Sequence, residues 1–393
     1  MEIQRDLHTF LNERNGVVDT VKDFKEIKIK DLNKSFGANQ VLHDFNLNVE
    51  KGEFVTLLGP SGCGKSTTLH CLAGLVPIDS GEIYIDNECI DDGTKGIPPE
   101  KRGFGLVFQN YALFPHLSVF NNIAFGLQIK RLSKNAIKEK VQNVLKMVRL
   151  EGYEDKYPRQ LSGGEQQRVA IARCIVMEPM LMMLDEPLSN LDAKLRIEMR
   201  YELKTLHEKL HIASIYVTHD QQEALALSDR IVVMKDGKIQ QIGPPEEIYC
   251  QPSNLFVADF MGFRNIWPAN IKEISSENEV VINVSGFELT IKNGSIKKAD
   301  YLNNLEIGAP VFTAVRPEDI QVGNGPVNSL RCKSEVVEYL GEIRHIGALI
   351  NEDVRIDLRT GEAGEEIKSD GIIEVWIPPG KILLFSQEGD RIL

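Results

Sequence analysis

Short apolar runs and helical-period stretches alternate along the chain from about residue 27 to 240, the pattern of an α/β domain built on a mostly parallel sheet. EIKIKDLNKSF and VLHDFNLNVE read as two early strands. FVTLLG (54–59) is a buried strand that ends in a glycine-rich turn. LMMLD (181–185) is another, and SIYVTHD (214–220) with RIVVMKDGKIQQIG (230–243) supply more. Between them, NAIKEKVQNVLKMVRL and LDAKLRIEMRYELKTLHEKL carry apolar residues at intervals of three and four, as amphipathic helices do.

The pattern then changes. GPPEEIYCQPSNLFVADFMGFRNIW (243–267) is rich in Pro and Gly and reads as a boundary. Beyond it, EVVINV, VFTAVRP, EVVEYLGEIRHIG, VRIDLRT and IIEVWIPPGKILLF are β-rich runs separated by turn residues, which predicts a small β-barrel over 268–393. The first 26 residues are mixed in charge and lack the basic-then-apolar build of a secretory signal.

Composition narrows the class of protein. At 393 residues and 42% hydrophobic, the chain is long enough for two domains. No apolar run approaches the eighteen or so residues of a membrane-spanning helix, so the chain is expected not to cross a bilayer and to be cytosolic. Its six cysteines show no C-x-x-C pair and no metal-ligand spacing, which suits free thiols in a reducing compartment. The formal net charge is −12, and acids outnumber bases on both sides of residue 264. Neither half is a basic platform, which argues against nucleic acid as a partner.

Residues 59–66 read GPSGCGKS, the pattern G-x-x-x-x-G-K-[ST] between a buried strand and the apolar helical stretch TTLHCLAGL. Gly59, Pro60, Ser61, Gly62, Cys63, Gly64, Lys65 and Ser66, with Thr67 following, form the candidate phosphate cradle. Gly62 and Gly64 let the backbone wrap phosphate oxygens at a helix N-terminus, where the dipole favours an anion. By this motif Lys65 would reach the β- and γ-phosphates, and Ser66 would hold Mg²⁺. Cys63 lies beside Lys65 and a helix start, two features that favour the thiolate. In LMMLDEP, Asp185 at the strand end is a candidate Mg²⁺ ligand and the adjacent Glu186 is placed to orient or deprotonate the attacking water.

LSGGEQQRVAIAR (161–173) lies just before this acidic strand, and together they resemble the ABC transporter ATPase family. The resemblance runs in order from Ile27 to about Gly243 through the phosphate loop, VFQNYALFPHLSV, the LSGGE string, LMMLDEP, SNLD and THD. It implies an ATP-binding P-loop core over 27–243 with a helical subdomain at about 110–175, a linker at 244–267 and a C-terminal domain at 268–393. It also implies a second clamp: Ser162, Gly163 and Gly164 at a helix start would hold the nucleotide bound by the phosphate loop of a second copy. Glu165 stands where Gln is common in the family, a departure of minor expected effect. By the same resemblance, Gln109 would touch Mg²⁺ and water, His219 would bond the γ-phosphate, Asp192 would cross the dimer interface and Phe36 would stack on adenine. For Phe36 a core aromatic is the competing reading.

LDEPLSNLDAKLR, IYVTHDQQEALALSDRIVVM and GPPEEIYCQPSNLFVADFMG look like importers that use a solute-binding protein, and the β-rich region resembles that family's C-terminal OB-like barrel, expected to stabilise the dimer or regulate. The implied partners are a second copy of the chain, two membrane permease subunits and an external solute-binding protein, with the motor on the cytoplasmic face of the membrane. KRGFGLVFQNYALFPHLSVFNNIAFGL (101–127) looks most like the polyamine, opine and phosphonate branch. The GFRN junction (262–265) points to that branch or to iron and sulfate importers, ahead of sugar importers. A soluble ABC protein acting on ribosomes or DNA is the reading from another class. Such proteins commonly pair two ATPase modules or carry coiled coils, and this chain has one module and no sustained heptads.

Overall fold

The computed structural model describes residues 24–275, 279–292, 305–361 and 369–393. The expected N-terminal extension therefore lies outside the described residues except for its last three. By spatial proximity the chain forms two compact units. The first comprises the described residues to Leu57, Gly62–His219 and Asp236–Lys238; the second comprises Leu58–Ser61, Asp220–Lys235 and the described residues from Ile239 to Leu393.

In the first unit, β1 (Glu26–Phe36) and β2 (Asn39–Glu50) form the two early strands and β3 (Phe54–Leu58) the buried one before the loop. Helix α1 (Lys65–Ala73), β4 (Ser80–Ile85), β5 (Glu88–Asp91) and β6 (Phe104–Val107) follow. Then come α2 (Val119–Ile129), α3 (Lys134–Met147), α4 (Gly163–Ile175), β7 (Leu181–Asp185), α5 (Ala193–Leu210) and β8 (Ala213–Thr218). β2, β1, β4 and β5 make one antiparallel sheet, while β3, β8, β7 and β6 lie side by side in that order. β6, β7 and β8 pair in parallel. Every residue of β3, β7 and β8 is buried, as the unbroken apolar runs require of strands covered on both faces.

Ser118, Ser133, Ser162 and Asp192 cap α2, α3, α4 and α5 through their side chains. Helix α1 differs. The residue before it is Gly64, and its first turn has no side-chain cap. Its far end is fastened by the buried Arg102, whose guanidinium donates to the carbonyls of Leu72 at 2.9 Å and Ile97 at 2.7 Å and pairs with Asp91 at 2.5 Å. A cation on the last helical carbonyls, Leu72 at 2.9 Å and Cys71 at 3.3 Å, favours the dipole and fixes the helix that carries Lys65 and Ser66.

The second unit opens with α6 (Gln221–Leu227), β9 (Arg230–Lys235) and β10 (Lys238–Gly243). The segment read as a boundary holds two short helices, α7 (Pro245–Cys250) and α8 (Leu255–Phe260). Pro245 at the first turn and Asn254 as an N-cap are the local reasons they start where they do. Ile248, Val257 and Met261 pack with Leu58, Ala224, Ile231 and Val233, while Ala258 and Phe263 join Ala314, Leu383 and Phe385.

Among the described residues ten strands follow: β11 (Asn265–Ile274), β12 (Glu279–Val284), β13 (Phe287–Lys292), β14 (Pro310–Val315), β15 (Gln321–Val322), β16 (Ser329–Tyr339), β17 (Ile343–Leu349), β18 (Arg355–Gly361), β19 (Ile372–Trp376) and β20 (Leu383–Phe385). They form two five-stranded sheets, ordered β13-β12-β11-β14-β20 and β15-β19-β16-β17-β18, around one apolar core. The β-rich run EVVEYLGEIRHIG folds as a hairpin that turns at Leu340–Ile343. Buried Asn265 ties the sheets together: its amide donates to the Asp357 carbonyl at 2.8 Å and accepts from the Asp357 N–H at 2.7 Å, as a peptide group would. The asparagine of the GFRN junction thus has a packing role of its own. Arg316 at the end of β14 donates to the Met261 carbonyl at 2.8 Å and to the Tyr249 carbonyl, with its guanidinium 3.5 Å from the Tyr249 ring centre and 4.2 Å from that of Phe263.

The candidate nucleotide site

The loop after β3 turns through Gly62 (φ 82°) and Gly64 (φ 101°), both in the left-handed region. Gly64 is fixed twice, because a Cβ there would also lie 2.8 Å from Leu42 Cδ2 and 3.0 Å from the Val41 carbonyl. Lys65 is buried, with Nζ 3.8 Å from Cys63 Sγ. Ser66 Oγ donates to Asp185 Oδ1 at 2.7 Å, so the hydroxyl and the carboxylate singled out for a cation are in contact. His70, one turn further along α1, brings Nε2 to 3.4 Å from Asp185 Oδ2.

Glu186 adopts a left-handed φ of 42°, uncommon for a residue with a Cβ, and its N–H donates to the Val217 carbonyl at 3.0 Å. That conformation turns the chain sharply at the end of β7. Its carboxylate meets Gln109 Nε2 at 3.4 Å and His219 Nδ1 at 3.3 Å. Gln109, Glu186 and His219 come from three separate segments, and the fold brings them together. Ser189 Oγ lies 3.3 Å from Gln109 Nε2, and Asn190 donates to the Gln109 carbonyl at 2.9 Å. Just past Gln109, Tyr111 and Ala112 both have positive φ, and Arg173 of α4 donates to their carbonyls at 2.9 and 2.7 Å. The segment next to the Gln109–Glu186–His219 cluster is therefore held by the helix that follows Ser162.

Ser162 caps α4 and bonds to Glu165, Gly163 and Gly164 open the helix, and a Cβ on Gly163 would lie 3.2 Å from Leu191 Cδ2. A Cβ on Gly164 would lie 3.0 Å from Leu195 Cδ2, so packing alone asks for a small residue there. Asp192 accepts from the Leu195 N–H at 3.0 Å as a helix cap. Phe36 is 52% exposed at the end of β1, which removes the core-aromatic reading. Lys34 Nζ lies 5.3 Å from its ring centre and pairs with Asp79 at 2.6 Å.

Cys63 overturns an expectation. The thiol is buried, and desolvation pushes its pKa up against the opposing pull of Lys65. Neighbouring charge favours the thiolate, but burial outweighs it.

His70, Ser189, Asn190 and Arg173 were not singled out from the sequence. Ser189 and Asn190 sit in SNLD beside Asp192, and His70 follows Ser66 at a four-residue helical interval, so position offered a signal for these three. Nothing local marks Arg173. Among the described residues no three His, Cys, Asp or Glu side chains cluster as a metal cage, and no helix is long and apolar enough to cross a membrane.

A glycine-rich loop between a buried strand and an uncapped helix, facing an Asp-Glu pair at the end of a parallel strand, defines a P-loop nucleoside triphosphatase. Residues 42–189 match the ABC transporter family. The chain is 48% identical over 305 residues to the spermidine/putrescine import ATP-binding protein PotA of Aggregatibacter actinomycetemcomitans, covering 77% of this chain and 78% of that protein. It is 40% identical over 373 residues to the Fe(3+) ions import ATP-binding protein FbpC of Fusobacterium nucleatum, covering 93% and 94%. Among solved structures it resembles CbiO1 from Clostridium perfringens, part of the ABC transporter complex CbiONQ, with a TM-score of 0.54 and 34% identity over 58% of this chain and 92% of that one. The chain belongs to the ATP-binding subunits of ABC importers, and it is an ATPase.

Proposed function

We propose that this subunit energises polyamine import, with the chemistry centred on Glu186. In this reading the phosphate loop from Gly59 to Thr67 cradles the ATP phosphates, Lys65 faces the β- and γ-phosphates and Phe36 stacks on adenine. Ser66 and Asp185, with Gln109 nearby, would hold Mg²⁺. A hydroxyl and a carboxylate already in contact form an all-oxygen set suited to that ion, with nucleotide oxygens completing its shell. When bound, the ion neutralises charge on the β- and γ-phosphate oxygens.

Glu186 accepts a proton from water as the water oxygen bonds to the γ-phosphorus and the bond to the β-bridging oxygen breaks, leaving ADP and phosphate. His219 and Gln109 fix the Glu186 carboxylate and line the γ-phosphate. The contact of Glu186 with both of these residues is the observation that carries this assignment.

The domain scheme read from the sequence fits this role: an ATPase domain at 27–243 and a regulatory domain at 268–393. A second copy supplies Ser162, Gly163 and Gly164 to each ATP, with Asp192 at the interface. Two permease subunits and an external solute-binding protein are the partners, at the cytoplasmic face of the membrane. Polyamine as cargo rests on the relation to the spermidine/putrescine proteins. Ferric iron is the second reading, favoured by a relative that aligns over 93% of the chain. The test is ATP hydrolysis by the complex reconstituted with its permeases and solute-binding protein. Stimulation by spermidine or putrescine, and not by ferric iron, is the expected result; the reverse would transfer the assignment to iron.

A further inference from the structure

Ser162 already holds an anion within its own chain. Its backbone N–H donates to Glu165 Oε2 at 2.7 Å, and its hydroxyl donates to the same oxygen at 2.9 Å. Glu165 N–H in turn points at Ser162 Oγ over 3.4 Å. The Ser162 N–H first, then its hydroxyl, the Tyr153 hydroxyl and the charge of Lys156 draw the Glu165 carboxyl below the usual range against the cost of partial burial, so it is ionised near neutrality. Lys156 in turn sits over the Tyr153 ring at 3.6 Å, completing the surroundings of the carboxylate.

A capping box accounts for half of this. The box needs an acceptor for the N-cap N–H, and Glu or Gln serves equally. It does not need the serine hydroxyl to donate to that acceptor. A hydroxyl has one proton, and while Glu165 holds it no phosphate can. An incoming γ-phosphate would also meet a carboxylate at the very donors it needs.

We infer that Glu165 is a resident competitor for the Ser162 donors, and that two chains close over ATP only as its carboxylate releases the Ser162 hydroxyl. The inference rests on the reading that Ser162 clamps the ATP of a second copy. Glu165 is then a positioning residue that sets how much ATP dimer closure requires. The Gln of related signatures lacks this charge.

The experiment is ATP-dependent dimerisation of the full chain, followed by sedimentation with Mg²⁺ and a non-hydrolysable ATP analogue. Glu165→Gln keeps a neutral acceptor for the cap and is expected to lower the unfolding midpoint of the monomer only slightly, through the helix-dipole and Lys156 attraction it gives up. It should lower the analogue concentration for half-maximal dimer roughly tenfold, the size of one partly exposed like-charge contact. Ser162→Ala should raise that concentration. If Glu165→Gln dimerises at an unchanged or higher concentration while Ser162→Ala weakens the dimer, the competitor role is overturned and the clamp reading stands. If Ser162→Ala has no effect, the clamp reading fails, and the proposal with it.

Discussion

Helix α1 begins after Gly64, which offers its first turn no side chain, whereas α4 begins after Ser162, whose hydroxyl and backbone are already engaged by Glu165. Both helix starts present N–H groups and a positive dipole end toward an anion. In α1 the nearby hydroxyl of Ser66 turns away to Asp185 and leaves the first turn without a side-chain acceptor. In α4 an acid three residues on closes the turn upon itself. Two glycine-flanked helix starts thus differ in how their first turn is satisfied, and the difference lies in one residue beyond the glycines. A glycine pair near a helix start therefore does not establish that the start is open.

The largest effect is expected where the comparison is left intact and the chemistry removed. Glu186→Gln should slow hydrolysis by about 10²–10⁴-fold while ATP binding, followed by equilibrium dialysis, persists. Near-normal turnover would remove Glu186 from its role. Next come the glycines at the two helix starts. Gly64→Ala forces a side chain into a left-handed conformation and against Leu42, which should cost about 2–4 kcal/mol in denaturant unfolding and abolish ATP binding. Gly164→Ala meets only the tip of Leu195 and should cost about 1 kcal/mol. Equal costs would show that the two starts are built alike.

A mixed dimer separates the two clamps by function. With Lys65→Ala in one chain and Ser162→Ala in the other, both defects fall on one composite site and the second site keeps a wild-type clamp on each side. Both changes in one chain spoil both sites, so the first arrangement should retain ATPase activity in the permease complex that the second loses. Identical activities would mean that the sites are not shared or that one intact site cannot sustain turnover, and nucleotide stoichiometry decides between these. The smallest effect concerns Cys63. Because burial raises its pKa, the thiol is neutral at pH 7 and modification by iodoacetamide should be slow, rising with pH and slowed further by MgATP. Fast labelling at neutral pH would show that the Lys65 charge prevails.

Periodicity made the elements legible wherever one pattern held over a whole segment. The unbroken runs of β3 and β7 and the three-and-four spacing of α5 match the observed strands and helix to within a few residues. Where a pattern runs on through a turn it does not show the turn. EVVEYLGEIRHIG stays β-like in composition across a hairpin, because its turn has only Gly341 as a break. In 243–267 the Pro and Asn residues that suggested a boundary are also helix-start residues, and composition does not distinguish the two uses. In the site, motif residues that meet across the fold, such as Ser66 with Asp185, could be paired by position. The direction of the Cys63 shift could not, because Lys65 is visible in the sequence and the surrounding burial is not. Glu165 was visible only as a substitution; its bonds to Ser162 needed coordinates.

The packing of α7 and α8 bears on how far the chain can be divided. A protein truncated at residue 243 would bare Leu58, Ala224, Ile231 and Val233, which Ile248, Val257 and Met261 now cover. A cut placed after these helices would instead part Arg316 from the Met261 carbonyl and the Tyr249 and Phe263 rings that hold it. An exchange of C-terminal domains between relatives that cuts before these helices would leave both products with an unmatched apolar face, whereas a cut that keeps them must carry matching partners for Ala314 and Phe385. The stretch from 243 to 267 thus packs on two sides, with Ile248, Val257 and Met261 against one apolar cluster and Ala258 and Phe263 against another.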